Sequence, residues 1–239
     1  MKVTYFSAFL VSSACAYGNK ARRESSNGIP PWSYIQGDDP PADPATKGYF
    51  VNHFGMLASN LTATRQWYSK VLGVRHIFTM DVSSEFSVLY MGHSQGGRNG
   101  AGYQTGLEMA RDKNNMDGLI KFVSYKKAVN RTYMPDAQTT FSHIGLVVDD
   151  IAAAKACFQD LGVNIVKRRG VLDFSPATAD RRFAAAFGFA DIDNDETQKD
   201  IAAALPGFKA LGFFGDFVMI ADPDGNLVEV QPQVSSGAL

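Results

Sequence analysis

Cysteine is scarce, with only Cys15 and Cys157 among 239 residues. That excludes a disulfide-stapled scaffold, so stability must come from a buried core. A basic excess is also missing: 23 Lys and Arg face 24 Asp and Glu, a formal net charge of -1. Nucleic-acid binders carry such an excess, so no nucleic-acid partner is expected. No segment after the N-terminus is long and apolar enough to span a bilayer, so no membrane association is expected of the mature form. The chain has only four histidines, few enough to weigh singly. Its apolar content of 45% and charged content of 20% suit a globular protein with a real core.

The N-terminus has the pattern of a signal peptide over residues 1–16. Met1-Lys2 is a short basic start, Val3 to Val11 a mostly apolar run, and Ala14-Cys15-Ala16 a small-residue cleavage site. Cleavage after Ala16 predicts a secreted protein and leaves Cys157 alone. The sequons Asn60-Leu61-Thr62 and Asn130-Arg131-Thr132 fit a glycoprotein of the eukaryotic secretory route.

Residues 17–47 are polar and rich in Pro, Ser, Gly and Asp, and Asp38 to Pro44 cannot form a regular element. This predicts a linker or an extended arm. The domain is expected over residues 48–233. Its first part predicts a strand at Tyr49–Leu57, a helix at Thr62–Leu72 and strands at Val74–Asp81, Phe86–Gly92 and Leu119–Tyr125.

That order then recurs. Residues 52–68 (NHFGMLASNLTATRQWY) align with 142–158 (SHIGLVVDDIAAAKACF). His53 meets His143, Gly55 meets Gly145, and Tyr68 meets Phe158. The endings Leu72-Gly73-Val74 and Leu161-Gly162-Val163 correspond with one residue of slippage. One supersecondary unit is used twice, as modules 48–126 and 139–233. The second runs through a strand at Val163–Arg168, a long insertion from Asp173 to Lys209 and a strand at Phe213–Ile220. A tight Asp222-Pro223-Asp224-Gly225 turn then leads to a strand at Leu227–Gln231.

Each module's His sits in an apolar run, where a buried polar group needs a partner. A lone His there is most simply a hydrogen-bonded core residue. Two at one place in a repeat point instead to metal ligation. Glu229, between Val228 and Val230, either faces solvent or joins them. Two His and one carboxylate with open positions form a recognised iron site, and similar sets hold zinc.

These segments resemble the vicinal-oxygen-chelate superfamily, which includes glyoxalase I, extradiol dioxygenases and bleomycin-resistance proteins. The resemblance spans about residues 48–233. It lies in His53 to Gly73 with Trp67-Tyr68, in Phe141 to Asp150, and in Phe213 to Gln231 with its Asp-Pro-Asp-Gly turn. It implies an α+β fold of two tandem βαβββ modules forming a cupped mixed sheet. It also implies one divalent metal ion (Zn, Ni, Fe or Mn) in the cup and a small-molecule substrate, with a homodimer as an alternative to pairing within one chain. His53, His143 and Glu229 are the implied ligands, and Glu229 the implied catalytic carboxylate. A fourth carboxylate, expected in glyoxalase I, falls on Lys121, whose ammonium cannot ligate. Glu108 is the substitute, although it lies in a predicted helix. Lys121 either holds an anionic substrate or reaches solvent. The Arg that holds glutathione in glyoxalase I falls on Leu57, which argues against glutathione.

The Gly-rich loop from Gly92 to Tyr103 does not open a helix in the manner of a phosphate loop. It is either a lid bringing Arg98, His93 or Tyr103 to substrate, or a turn needing positive φ. His76 is expected at the surface. Three activities fit: a glyoxalase-type lyase or isomerase, a ring-cleaving dioxygenase using iron, and a metal-free sequestering protein. The first is the leading expectation. For the second, His93 and Tyr103 are the only candidates for an acid or base beyond the ligands themselves.

Overall fold

The computed structural model describes residues 35–46, 48–97, 101–126 and 141–234. The expected signal peptide, Arg98 and the Asn130 sequon lie outside the described residues. So does most of the arm; its described part is exposed, with one short 3-10 turn at Pro44–Thr46.

Module one contains β1 (His53–Leu57), α1 (Leu61–Val71), β2 (Arg75–Asp81), β3 (Phe86–Gly92), α2 (Gly106–Asp112) and β4 (Leu119–Tyr125). Module two contains β5 (Ile144–Val148), α3 (Ile151–Asp160), β6 (Asn164–Lys167), α4 (Arg181–Ala186), α5 (Asp195–Leu211), α6 (Phe213–Asp216), β7 (Val218–Ala221) and β8 (Leu227–Pro232). The sheets have matching orders, β1-β4-β3-β2 and β5-β8-β7-β6. In each, the first strand runs parallel to the last and the other pairs are antiparallel. This is the expected α+β architecture of paired βαβββ modules.

The repeat extends to the helix ends. Asn60 caps α1 by accepting from Ala63 N, and Asp150 caps α3 by accepting from Ala152 N and Ala153 N. At the other ends Gly73 and Gly162 take φ of 68° and 64°, a region that glycine enters without steric cost. There Val74 N donates to Tyr68 O, and Val163 N to Phe158 O.

One core joins the modules. Met56, Tyr68, Leu72, Leu89, Met91, Ile120 and Phe122 pack with Ile151, Phe158, Val218, Ile220, Val228 and Val230. Burial of this apolar area is the main stabilising term. Within it the fully buried Tyr68 donates its hydroxyl to Asp222 Oδ2 at 3.0 Å, from α1 of one module to the last turn of the other. Asp222 also accepts from Asp224 N and from both nitrogens of Asn226. Asp224 in turn accepts from Ser59 N and Thr64 Oγ1.

Two boundaries differ from expectation by more than one residue. β1 starts at His53, not Tyr49, because its parallel partner β4 begins opposite it at Leu119 and leaves Tyr49 to Val51 exposed. The strand expected from Phe213 starts at Val218. Gly212, at φ 77°, opens the short helix α6, where Asp216 binds Arg169 at 2.8 Å.

Tyr68→Phe removes a hydrogen bond to a buried carboxylate and is expected to cost about 1.5–3 kcal/mol. The check is the shift in denaturant midpoint, and an unchanged midpoint would show that the contact contributes nothing.

Candidate functional site

The second sheet turns Val218, Ile220, Val228 and Val230 toward the helices and Met219, Ala221, Leu227 and Glu229 to the opposite face, as strand alternation requires. Gly145 on β5 lies directly opposite Glu229. In the first sheet Gly55 lies opposite Lys121. The register therefore makes Lys121 the counterpart of Glu229, and His53 the counterpart of His143.

His143 and Glu229 come together, with Nε2 3.5 Å from Oε2 and side chains 27% and 17% exposed. On the other side of the ring Nδ1 lies 2.7 Å from Ser142 Oγ, which donates to Ala186 O at 2.7 Å. A hydroxyl has one proton to give, so Ser142 must accept from His143 Nδ1–H. In the neutral ring the Nε2 lone pair then faces Glu229. Phe187, following α4, lies nearly parallel to the imidazole at 6.4 Å. Burial raises the Glu229 carboxyl above its ordinary value, while His143 and Lys167 pull it back.

Lys167 was not anticipated from the sequence. It is 3% exposed, donates to Phe217 O at 2.8 Å and lies 4.0 Å from the Phe217 ring centroid. Burial lowers its ammonium from 10.5 to about 8, against the opposing pull of Glu229 and Asp216. A register shift between Ile165 and Lys167 breaks the alternation of β6, so simple period-two reading fails there.

The insertion covers this face of the second sheet. Phe174, Phe183, Ile192 and Ile201 pack against Phe217, Met219 and Leu227. In module one α2 and the turn after it do less of the same, bringing Met109 and Met116 against Ile77 and Leu119.

His53 is exposed, lies edge-on to Tyr90 at 5.5 Å, and has Nδ1 3.0 Å from Asn52 Oδ1. Among the described residues no three His, Cys, Asp or Glu side chains stand close enough to hold one metal ion. Thus His143 and Glu229 form a pair, and His53 stands outside it. Lys121 is half-buried. Glu108 is committed to a capping box at α2, accepting from Thr105 N and Oγ1 at 2.6 and 2.8 Å. Tyr103 is 74% exposed with the Arg75 guanidinium 4.3 Å from its ring centroid. His93 is exposed, and no hydrogen bond or ring contact joins it or Tyr103 to His143 or Glu229. Within the Gly-rich loop, Gly102 is required by close approach: a Cβ there would lie 2.7 Å from the Gly96 backbone.

The model of the Glyoxalase/Bleomycin resistance protein/Dioxygenase superfamily matches residues 50–171. The chain belongs to this superfamily. Among solved structures, the trypanothione-dependent glyoxalase I of Leishmania major matches at 12% identity, covering 78% of this chain and 88% of its own, with a TM-score of 0.44. A superfamily domain from Frankia sp. EAN1pec matches at 9% identity, 76% and 95% coverage and a TM-score of 0.42. Glyoxalase I from Zea mays matches at 15% identity, 75% and 43% coverage and a TM-score of 0.43.

A divalent metal is common in the glyoxalase superfamily; of the three protein donors such an ion takes, the structure brings together two, His143 and Glu229. Two donors each about 2.1 Å from a tetrahedral ion stand about 3.4 Å apart, close to the separation seen. The Nδ1–H bond to Ser142 is the outer hydrogen bond that a ligating imidazole requires.

Lys167→Met is expected to raise stability at pH 7 by on the order of 1–3 kcal/mol. The folded ammonium titrates at about 8, below its unfolded value of 10.5. The cost of the buried charge is therefore fully present below pH 8 and vanishes as pH rises toward 10.5. Thermal unfolding of both proteins across that window is the check; a pH-independent difference would refute it.

Proposed function

We propose that this chain is a metal-dependent enzyme of glyoxalase I type, a lyase or isomerase acting on a small molecule with adjacent oxygens. The observation that carries the reading is the His143–Glu229 pair, with Nδ1 occupied by Ser142 and Nε2 directed at the carboxylate. His143 and Glu229 would hold the ion; His53, which stands apart from the pair, is the third donor that the superfamily resemblance implies. The bound ion would polarise the two substrate oxygens. Glu229, whose burial strengthens its hold on a proton, would move the proton on the carbon beside them. Phe187 and the insertion behind it exclude water from one side of His143. Lys167 offsets the buried negative charge of Glu229.

Leu57, 48% exposed on the His53 strand, offers no charge to a glutathione carboxylate, so the substrate is not expected to be a glutathione adduct. Lys121, Tyr103 and Arg98 remain the proposed substrate contacts. Export with a cut after Ala16 belongs to the same proposal and suits an activity independent of glutathione. A metal-free sequestering protein is the second reading, favoured by Lys121 at the position equivalent to Glu229.

Plasma mass spectrometry of the purified protein decides between them. About one ion per chain is expected, lost in His143→Ala and Glu229→Ala and depleted in His53→Ala. Full retention in His53→Ala would remove His53 from the ligand set. Zinc, nickel or manganese supports the lyase. Iron, with catechol-dependent oxygen uptake, would replace the lyase with the ring-cleaving dioxygenase. No metal after reconstitution would leave the sequestering protein.

A further inference from the structure

We propose that Asn52 and Ser142 are positioning residues that fix the tautomers of His53 and His143, holding the proton on Nδ1 of each ring. The proposal rests on the metal reading for its purpose, but on hydrogen-bond direction for its content. Asn52 Nδ2 donates to two carbonyls, Lys113 O at 2.8 Å and Met116 O at 2.7 Å. Both amide protons are therefore spent, and the amide cannot be turned without facing oxygen against oxygen. Oδ1 then faces His53 Nδ1 at 3.0 Å and can only accept. Ser142 reaches the same result with a hydroxyl: its proton goes to Ala186 O, so its lone pair receives Nδ1–H of His143.

The two devices share their place in the repeat, one residue before each His, but not their chemistry. Each is anchored by the part of its module where the repeat breaks down. Lys113 and Met116 belong to the turn after α2, and Ala186 ends α4. The connecting segments thus act on the histidines through one intervening side chain. Free imidazole favours the proton on Nε2, so the opposite tautomer must be imposed. A ligating nitrogen must be free of its proton, and such outer partners are worth about 10–100-fold in metal affinity.

The test uses the full chain, metal-free and labelled with 15N-histidine, at pH 8.5, above the ordinary imidazole range. Long-range 1H–15N correlation reads the tautomer of each ring, with His53→Gln and His143→Gln supplying assignments. The expected result is Nδ1–H for both rings. Ser142→Ala should move His143 toward Nε2–H and leave His53 unchanged; Asn52→Leu should do the converse. Ser142→Thr, which keeps the hydroxyl, should restore the parent tautomer. Zinc competition titration should show affinity weaker by about 10–100-fold in Ser142→Ala, with Ser142→Thr near the parent. A proton on Nε2 of either ring in the parent, or tautomers unmoved by the substitutions, would overturn the proposal. Tautomers that respond as expected in a parent that binds no zinc would support the positioning role and retire the metal reading.

Discussion

The Tyr68 hydroxyl bound to Asp222 is the contact on which the arrangement of the two modules depends. Each βαβββ unit leaves one face of its sheet needing cover. Packed together, the helices and the two sheet faces close into one core. Apolar packing is non-directional and cannot alone choose the angle between modules. A buried phenol donating to a buried carboxylate is directional, and its loss strands a polar group. The last turn, tied also to Ser59 and Thr64 through Asp224, is thereby fixed against α1. That turn leads straight into β8, which carries Glu229.

Duplication supplies two equivalent frames, and the chain fills them differently. The positions opposite Gly55 and Gly145 hold Lys121 and Glu229, a cation in one frame and an anion in the other. Only the second frame has its His beside a carboxylate. The same frame carries the long insertion, which lays Phe187 along the imidazole, and has Lys167 buried against Phe217. Charge, desolvation and hydrogen-bond direction thus converge on module two, while module one keeps an exposed His53 against Tyr90. The asymmetry is local chemistry on a symmetric backbone, in keeping with a superfamily whose fold hosts several activities.

Much of this was legible in the residues. The repeat of 52–68 in 142–158 identified the modules, and the helix caps and the positive-φ glycines fell at matching places, because capping and left-handed backbone depend on neighbours in sequence. Two strand starts were misplaced because strand ends depend on partners: β1 extends only where β4 runs beside it. Lys167 was missed because a register shift in β6 reverses the face that alternation predicts. Glu108 could not be ruled out as a ligand until its carboxylate was seen holding the N-terminus of α2. The Asn and Ser preceding the two histidines stood in plain view in the alignment. Nothing local marked them as important, since their anchors lie 61, 64 and 44 residues away.

By itself the amino-acid sequence determined the superfamily, the two modules, their strand order and the three residues worth testing as ligands, but not the three helices α4, α5 and α6 between β6 and β7. The modules and their elements follow from periodicity and internal repetition; the superfamily and the ligand set follow from the resemblance. Only the tertiary structure decided which of those residues meet. It joined His143 to Glu229, kept His53 apart from them, hydrogen-bonded both imidazoles through their neighbours and buried Lys167 against Phe217. Such outcomes turn on distances of a few ångströms between segments far apart in the chain, set by cross-strand register and by the insertion's packing.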